Sequence, residues 1–302
     1  MPRYLPVLVV QEASRQPGMD AELRDFEAEL AVHLSDFGAE FEQPRMVVYP
    51  EFYLYGATGT PEQRSTQLEA AAEPIDGPRN RHLARIARNL GIWLLPGTVC
   101  ERGEDGHLYN TAPVYSPEGE RVAAYRKCFP WRPYEPFRPG NRFEVFDIPG
   151  IGRVGLAICY DVWFPEVVRQ LAWLGADVVI NQAATSTCDR AQEQVLVQAN
   201  AIFNQVFMVS ANAATPSGEG QSLIVDPEGH VRTRMPGATS GILTDVLNLD
   251  EVERVRTFGT AGMNRVWSQF REDDPVLELP MYEGRIDPRQ WRGARNDQPF
   301  PA

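Results

Sequence analysis

Apolar residues along this chain fall into two rhythms, short aliphatic runs and longer stretches with helical spacing, and the two alternate for most of its length. Leu5 to Val10 predicts a first strand. Leu23, Phe26, Leu30, Leu34 and Phe37 follow at helical spacing, so a helix capped by Asp20 and stopped by Gly38 is expected. Met46 to Tyr49 reads as a second strand that runs directly into Pro50-Glu51-Phe52. Pro78 opens a helix with Leu83, Ile86 and Leu90 on one side, Gly91 closes it, and Ile92 to Leu95 resumes strand. Tyr109 to Lys127 predicts two strands joined by a Pro117-Glu118-Gly119 turn, the second ending at Lys127. Cys128 to Gly140 has no period; its prolines and the aromatic residues Trp131, Tyr134 and Phe137 suit a stiff loop that walls a pocket. Small and β-branched residues from Gly152 then make a buried strand ending at Cys159, and Val167, Val168, Leu171 and Leu174 mark an amphipathic helix up to Gly175. Further strands are expected at Asp177 to Ile180, Gln205 to Ala211, Gln221 to Asp226 and Ile242 to Val246. A helix capped by Asp189 carries Val195, Leu196, Ala199, Ile202 and Phe203. About ten strands and four helices in alternation give an α/β class, with some neighbouring strands antiparallel through hairpins.

Composition narrows this to one large core. The 302 residues are 43% hydrophobic and no linker divides them, so residues 1–280 are expected to form a single domain. The stretch 281–302, polar, rich in proline and glycine and carrying Trp291, is expected as an extension packed on a neighbouring subunit. Lys and Arg total 29 against 41 Asp and Glu, a formal charge of −12, which argues against nucleic acid or an anionic membrane as partner. No apolar run approaches the roughly 18 residues of a transmembrane span. Cys100, Cys128, Cys159 and Cys188 show no C-x-x-C or Cys/His ligand spacing, and the start of the chain is too short for a signal region. The expectation is a cytoplasmic protein with reduced thiols and no metal or organic cofactor.

The strand-to-helix turn at Cys159 gives that thiol a special place. Such a turn lifts a side chain clear of the sheet and aims backbone N–H groups at whatever the sulfur attacks. A free cysteine in such a run is more often a small packed hydrophobe, so the turn alone does not decide. A thiol needs a base or a field to ionise near neutral pH, and histidine is the usual base. His33, His82, His107 and His230 all fall in helix or turn positions that suit structural or solvated roles. A carboxylate and an ammonium group would serve equally, one taking the thiol proton and the other stabilising charge on sulfur and substrate oxygen. Glu51, Lys127 and Cys159 meet that need, each at the end of a strand.

Taken together, Val47-Val-Tyr-Pro-Glu51-Phe, Tyr109-Asn-Thr-Ala with Tyr125-Arg-Lys127, and Gly155-Leu-Ala-Ile-Cys159-Tyr-Asp with Phe164-Pro-Glu166 resemble the nitrilase superfamily, the carbon–nitrogen hydrolases. The resemblance runs in order from residue 5 to about 250. It implies a four-layer αββα sandwich whose protomers pair into an eight-layer unit through the helices at Phe164 to Leu174 and Arg190 to Phe203, with Trp173 a candidate contact. The resemblance also implies a homodimer or larger homo-oligomer, with Glu51, Lys127 and Cys159 as the catalytic set. Glu135, eight residues past Lys127, matches a second glutamate that positions the substrate. The loop with Pro130-Trp131, Glu135 and Pro139-Gly140 is similar to that of the aliphatic amidase and formamidase branch, although Phe52 stands where that branch typically has tyrosine. The implied reaction is hydrolysis of a small non-peptide amide to carboxylic acid and ammonia through a thioester, with the Tyr160 backbone N–H and Lys127 binding the oxyanion. Phe52, Trp131, Tyr134, Phe137 and Trp163 are the expected pocket residues. Tyr160-Asp161 after the cysteine, where nitrilases more often have tryptophan and glutamate, favours amide over nitrile. An N-carbamoyl amine or amino acid amidohydrolase, with Arg132 and Arg138 binding a carboxylate, is the alternative. Outside enzymes, a non-catalytic scaffold or a redox-sensing thiol protein stays open.

Overall fold

A computed structural model describes residues 2–15, 21–36, 45–279 and 284–286. In chain order, the first half holds β1 (Tyr4–Gln11), α1 (Ala21–Asp36), β2 (Met46–Val48), α2 (Pro61–Ala71), α3 (Pro78–Leu90), β3 (Trp93–Leu95), β4 (Val99–Arg102), β5 (Leu108–Tyr115) and β6 (Arg121–Arg126). The second half holds β7 (Val145–Ile148), β8 (Gly152–Ile158), α4 (Pro165–Trp173), β9 (Val178–Ala183), α5 (Arg190–Asn204), β10 (Phe207–Asn212), β11 (Leu223–Val225), β12 (Val231–Arg234), β13 (Gly241–Asn248), α6 (Asp250–Phe258), β14 (Leu277–Leu279) and β15 (Gly284–Ile286). One sheet runs β13-β1-β2-β3-β5-β4 with β6 on β5, and the other runs β12-β11-β10-β9-β8-β7.

Alternation along the strands produces the layers. Leu5, Val7 and Val9 of β1 meet Val154, Leu156 and Ile158 of β8 in the core between the sheets, together with Val178, Ile180, Phe207 and Val209. The residues between them face outward. Leu8 and Val10 pack under Phe26 and Leu30 of α1 and Leu83 and Ile86 of α3. On the far side Ala157, Val179 and Met208 pack under Val167, Val168 and Leu171 of α4 and Val197 and Ala201 of α5. A β-carbon at Gly155 would lie 3.1 Å from Leu171, so the missing side chain is what lets α4 sit close on β8. The result is the expected αββα sandwich, with strands parallel in the middle of each sheet. The carboxyl ends of β2 and β9 are tied across the sandwich by Gln182 Nε2 donating to the Tyr49 carbonyl at 2.7 Å and by Glu51 N–H donating to the Ala183 carbonyl at 3.3 Å.

Several local expectations change. The helix after Cys159 begins only at Pro165, because Cys159–Trp163 forms a 3₁₀ turn and proline fits the first turn of an α-helix but not its interior. Asp189 stands before α5 without capping it, since its carboxylate takes the Thr187 hydroxyl. Gln205 and Gln221 have φ of 50° and 57°, a left-handed backbone that no strand adopts, so β10 and β11 start at Phe207 and Leu223. The polar α2 carries no apolar stripe, but Thr60 and Gln63 close a capping box at its start. The cap at Asp20, Phe37, the stop at Gly38 and the tail tryptophan Trp291 lie outside the described residues. β15 pairs antiparallel with β14. No described helix is long and apolar enough to cross a membrane.

The face of α5 is inverted relative to its apolar pattern. Val195, Ile202 and Phe203 are 62%, 43% and 55% exposed, whereas Arg190, Glu193, Gln194, Asn200 and Asn204 are buried. Hydrogen bonds make that burial tolerable: Asn200 Nδ2 donates to the Val162 carbonyl, and Gln194 Nε2 donates to Gln221 Oε1. Helical spacing identified the element, while the polar face turned inward because it holds the turn beside Cys159.

Candidate active site

Four strand ends converge on one point. Cys159 follows β8 with φ of 47°, a left-handed conformation that costs a non-glycine residue energy and turns its side chain out of the sheet. Asp161, fully buried below it, fixes the turn: its carboxylate accepts from Ile158 N–H at 2.9 Å, Phe129 N–H at 3.0 Å and the Tyr125 hydroxyl at 2.8 Å. One side chain thereby joins the nucleophile turn to the loop that follows Lys127. Burial raises the Asp161 carboxyl to about 6, against the pull of Lys127 and these hydrogen bonds.

Lys127 extends the β5–β6 ladder by donating its N–H to the Asn110 carbonyl at 2.9 Å, and its ammonium group is wholly buried. Nζ lies 3.1 Å from Glu51 Oε1 and 2.6 Å from Glu135 Oε1. Burial alone would lower its pKa; the neighbouring Glu51, Cys159 and Glu135 outweigh that and raise it well above the ordinary lysine value. Two of the three ammonium protons are thus committed, which leaves the third for a bound molecule. Glu51 is equally well held. Its Oε1 also accepts from Asn110 Nδ2 at 2.7 Å, and its Oε2 accepts from Ala184 N–H at 3.1 Å. Asn110 and Ala184 are supporting residues that sequence reasoning did not single out, although Asn110 lies in a quoted motif.

Glu135 reaches Lys127 because its loop is closed tightly. Glu135 N–H donates to the Trp131 carbonyl at 2.9 Å, Gly140 N–H donates to the Lys127 carbonyl at 2.8 Å, and a β-carbon at Gly140 would lie 2.2 Å from the Arg126 carbonyl oxygen. Burial raises the Glu135 carboxyl, Lys127 opposes the rise and Glu51 adds to it. Its second oxygen, Oε2, is buried and meets no donor among the described residues. A buried acceptor without a partner costs on the order of 1–3 kcal/mol, so it marks a place where a ligand donor is wanted.

Cys159 keeps some solvent access as a residue, yet its sulfur lies among enough protein atoms that burial pushes the thiol well above its usual value. The Glu51 carboxylate adds to that rise, Lys127 opposes it, and Glu193 and Glu135 reinforce it. The free site therefore holds a neutral thiol beside a charged lysine and two carboxylates. Thr185 Oγ1, 3.6 Å from the sulfur, is another contact that the sequence did not announce.

The expected pocket residues separate into groups. Phe52, at φ of 51° and tied by its N–H to Thr98 Oγ1, stacks on buried Phe137 with ring centres 5.5 Å apart, a wall beside Glu51 and Glu135. Trp131 meets Tyr134 with ring centres 4.3 Å apart and planes tilted by 37°, and Tyr134 is largely exposed. Trp163 lies 6.1 Å from the Tyr160 ring and packs with the α4–α5 cluster. Tyr160 occupies the first turn of the 3₁₀ helix, where N–H groups lack intrahelical acceptors. Arg138, half exposed, pairs with Asp105 at 3.8 Å, and Arg132 donates to the Phe137 carbonyl at 3.4 Å.

Comparison with known proteins adds independent findings. The family model described as carbon-nitrogen hydrolase matches residues 13–257. The chain is 30% identical over 230 residues to the human Omega-amidase NIT2, covering 70% of this chain and 79% of that protein. Nit3 of Saccharomyces cerevisiae, described as a member of the nitrilase superfamily, is 23% identical with a TM-score of 0.73, covering 84% of this chain and 93% of that one, a likeness of fold. An amidase from Nesterenkonia sp. AN1 is 26% identical with a TM-score of 0.68, covering 84% of this chain and 93% of that one. That structure shows the acetamide moiety of fluoroacetamide covalently added at the active site cysteine.

Proposed function

This chain belongs to the carbon–nitrogen hydrolase family, a hydrolase of non-peptide amides, and we propose that it cleaves small aliphatic amides to carboxylic acid and ammonia through a thioester on Cys159. The observation that carries the reading is buried Lys127 bridging Glu51 and Glu135 with one proton and one carboxylate oxygen to spare. Glu51 takes the thiol proton as sulfur attacks the carbonyl carbon. The spare Lys127 proton and the Tyr160 N–H donate to the oxyanion, an interaction worth roughly 3 kcal/mol in the barrier for each such donor. Glu51 returns the proton to the departing nitrogen and ammonia leaves. Water then gives a proton to Glu51 and attacks the thioester; collapse expels the sulfur, which recovers that proton.

Glu135 Oε2 supplies the missing acceptor for the amide N–H₂, so it holds the carbonyl over the sulfur. Glu135→Gln is expected to lose about a hundredfold in amide turnover, as positioning effects of this kind do, while Cys159 still alkylates with iodoacetamide. Near-normal turnover in a stable variant would reduce Glu135 to scaffolding.

Arg132 donates to the Phe137 carbonyl and Arg138 pairs with Asp105, which supports the amide reading over the carbamoyl alternative. An ammonia-release screen over short aliphatic amides, arylamides, N-carbamoyl amino acids and nitriles tests the choice. Ammonia is expected from the aliphatic amides; release from carbamoyl compounds or nitriles alone would overturn it.

Two further features belong to the same reading. A second copy pairs through α4 and α5, where Val195 and Phe203 stand in solvent, whereas Trp173 packs on Trp267 of its own chain at 6.1 Å. Four free cysteines suit a reducing, cytoplasmic setting.

A further inference from the structure

Thr185 Oγ1 has two neighbours and one proton. The Cys159 sulfur lies 3.6 Å away and Glu193 Oε2 only 2.6 Å away. A carboxylate can only accept, and hydroxyl bonds to carboxylates are short and strong, so the hydroxyl proton belongs to Glu193. What Thr185 presents to the sulfur is therefore a lone pair, which can accept from S–H but cannot donate to a thiolate.

The surroundings keep it so. Glu193 is buried and paired with buried Arg190 at 2.9 Å, and Arg190 donates to the Gly220 carbonyl at 3.0 Å and the Gln221 carbonyl at 2.9 Å. The Thr185 backbone is clamped as well: its N–H donates to Asn212 Oδ1 at 2.8 Å, and its carbonyl accepts from Glu219 N–H at 2.8 Å.

We propose that Thr185, oriented by the Glu193–Arg190 pair, is a positioning residue that holds Cys159 as a hydrogen-bonded neutral thiol in the free enzyme, released only when Glu51 takes its proton. The inference rests on Cys159 being the nucleophile. The charged groups facing the sulfur are Glu51 after β2, Lys127 after β6, Glu135 in the following loop and Glu193 on α5; Asp161 in the nucleophile turn has its oxygens bound by Ile158, Phe129 and Tyr125. The three carboxylates act with Thr185 against ionisation, and the Lys127 ammonium opposes them. A thiol kept neutral reacts slowly with stray electrophiles and oxidants, which attack the thiolate. Reactivity then rises when a carbonyl is in place and Glu51 takes the proton.

The pH dependence of iodoacetamide alkylation at Cys159, read by intact mass, tests the device without any amide substrate. In Glu193→Gln the side-chain charge is gone and a neutral amide holds the Thr185 hydroxyl less strongly, so the hydroxyl can turn to donate to a thiolate and the midpoint is expected to fall by about one pH unit, a roughly tenfold gain in thiolate at neutral pH. Thr185→Ser keeps the hydroxyl and should keep the wild-type midpoint. In a Thr185→Val background the Glu193→Gln shift is expected to shrink to less than half, because it acts through the hydroxyl. An equal shift in both backgrounds would overturn the proposal, as would no shift in a folded Glu193→Gln protein. Should that variant fail to fold, the infrared S–H band that disappears in Cys159→Ala serves instead. It is expected at lower wavenumber in wild type than in Thr185→Val, and coincident bands would overturn the proposal. An amide screen that returned no ammonia would sink the proposed reaction and leave these titrations unaffected.

Discussion

Purified Cys159→Ala is expected to release no measurable ammonia from any amide the wild type hydrolyses, while its denaturation midpoint stays close to wild type. The substitution removes one heavy atom and leaves the β-carbon, so the left-handed backbone at φ of 47° is no more strained than before. The packing loss at a residue only partly buried against the inter-sheet core is about 1 kcal/mol. Chemistry has no such tolerance, since Lys127, Glu51 and the oxyanion donors then surround a methyl group. Residual turnover above a few per cent in protein free of wild type would place the nucleophile elsewhere.

Glu51→Gln carries the second largest effect. An amide cannot take the thiol proton or return it to the leaving nitrogen, and loss of a general base alone costs on the order of 10³ in rate. A structural term adds to this. Both carboxylate oxygens accept: Oε1 from Lys127 and Asn110, Oε2 from Ala184 N–H. A glutamine must turn its N–H₂ toward one of those donors, at a cost of about 1–3 kcal/mol. The expected result is a folded protein of modestly lower stability with kcat/KM reduced at least about a thousandfold, measured by ammonia release and chemical denaturation. A variant within tenfold of wild type would remove Glu51 from the proton path.

Why the three principal residues could be read from sequence, and their supports could not, follows from where each sits. Glu51, Lys127 and Cys159 each end an apolar run, and the carboxyl ends of strands in an open α/β sheet are where reactive groups gather. Ala184 and Thr185 follow the same logic after β9, but one acts through a backbone N–H and the other through a hydroxyl, and neither residue type announces chemistry. The hydrogen bond from Ala184 to Glu51 also spans 133 positions, a pairing that only the closing of the two sheets creates. α5 shows the opposite limit. Val195, Ile202 and Phe203 set its helical period correctly and its buried face wrongly, because Glu193, Arg190 and Asn200 are buried by hydrogen bonds and ion pairing, terms that an apolar pattern does not contain. α2 was passed over for a related reason: it is polar nearly throughout, and its start is marked only by Thr60 and Gln63.

The thioester is the point on which the whole account turns, and it can be weighed. Wild-type protein mixed with a hydrolysed aliphatic amide, quenched in acid within the first turnovers and measured intact, is expected to carry a fraction heavier by one acyl group. Peptide mapping should place that group on Cys159, and Cys159→Ala treated identically should carry none. Steady ammonia release with no acyl group on Cys159 at any quench time, or an acyl group mapped to another residue, would contradict it.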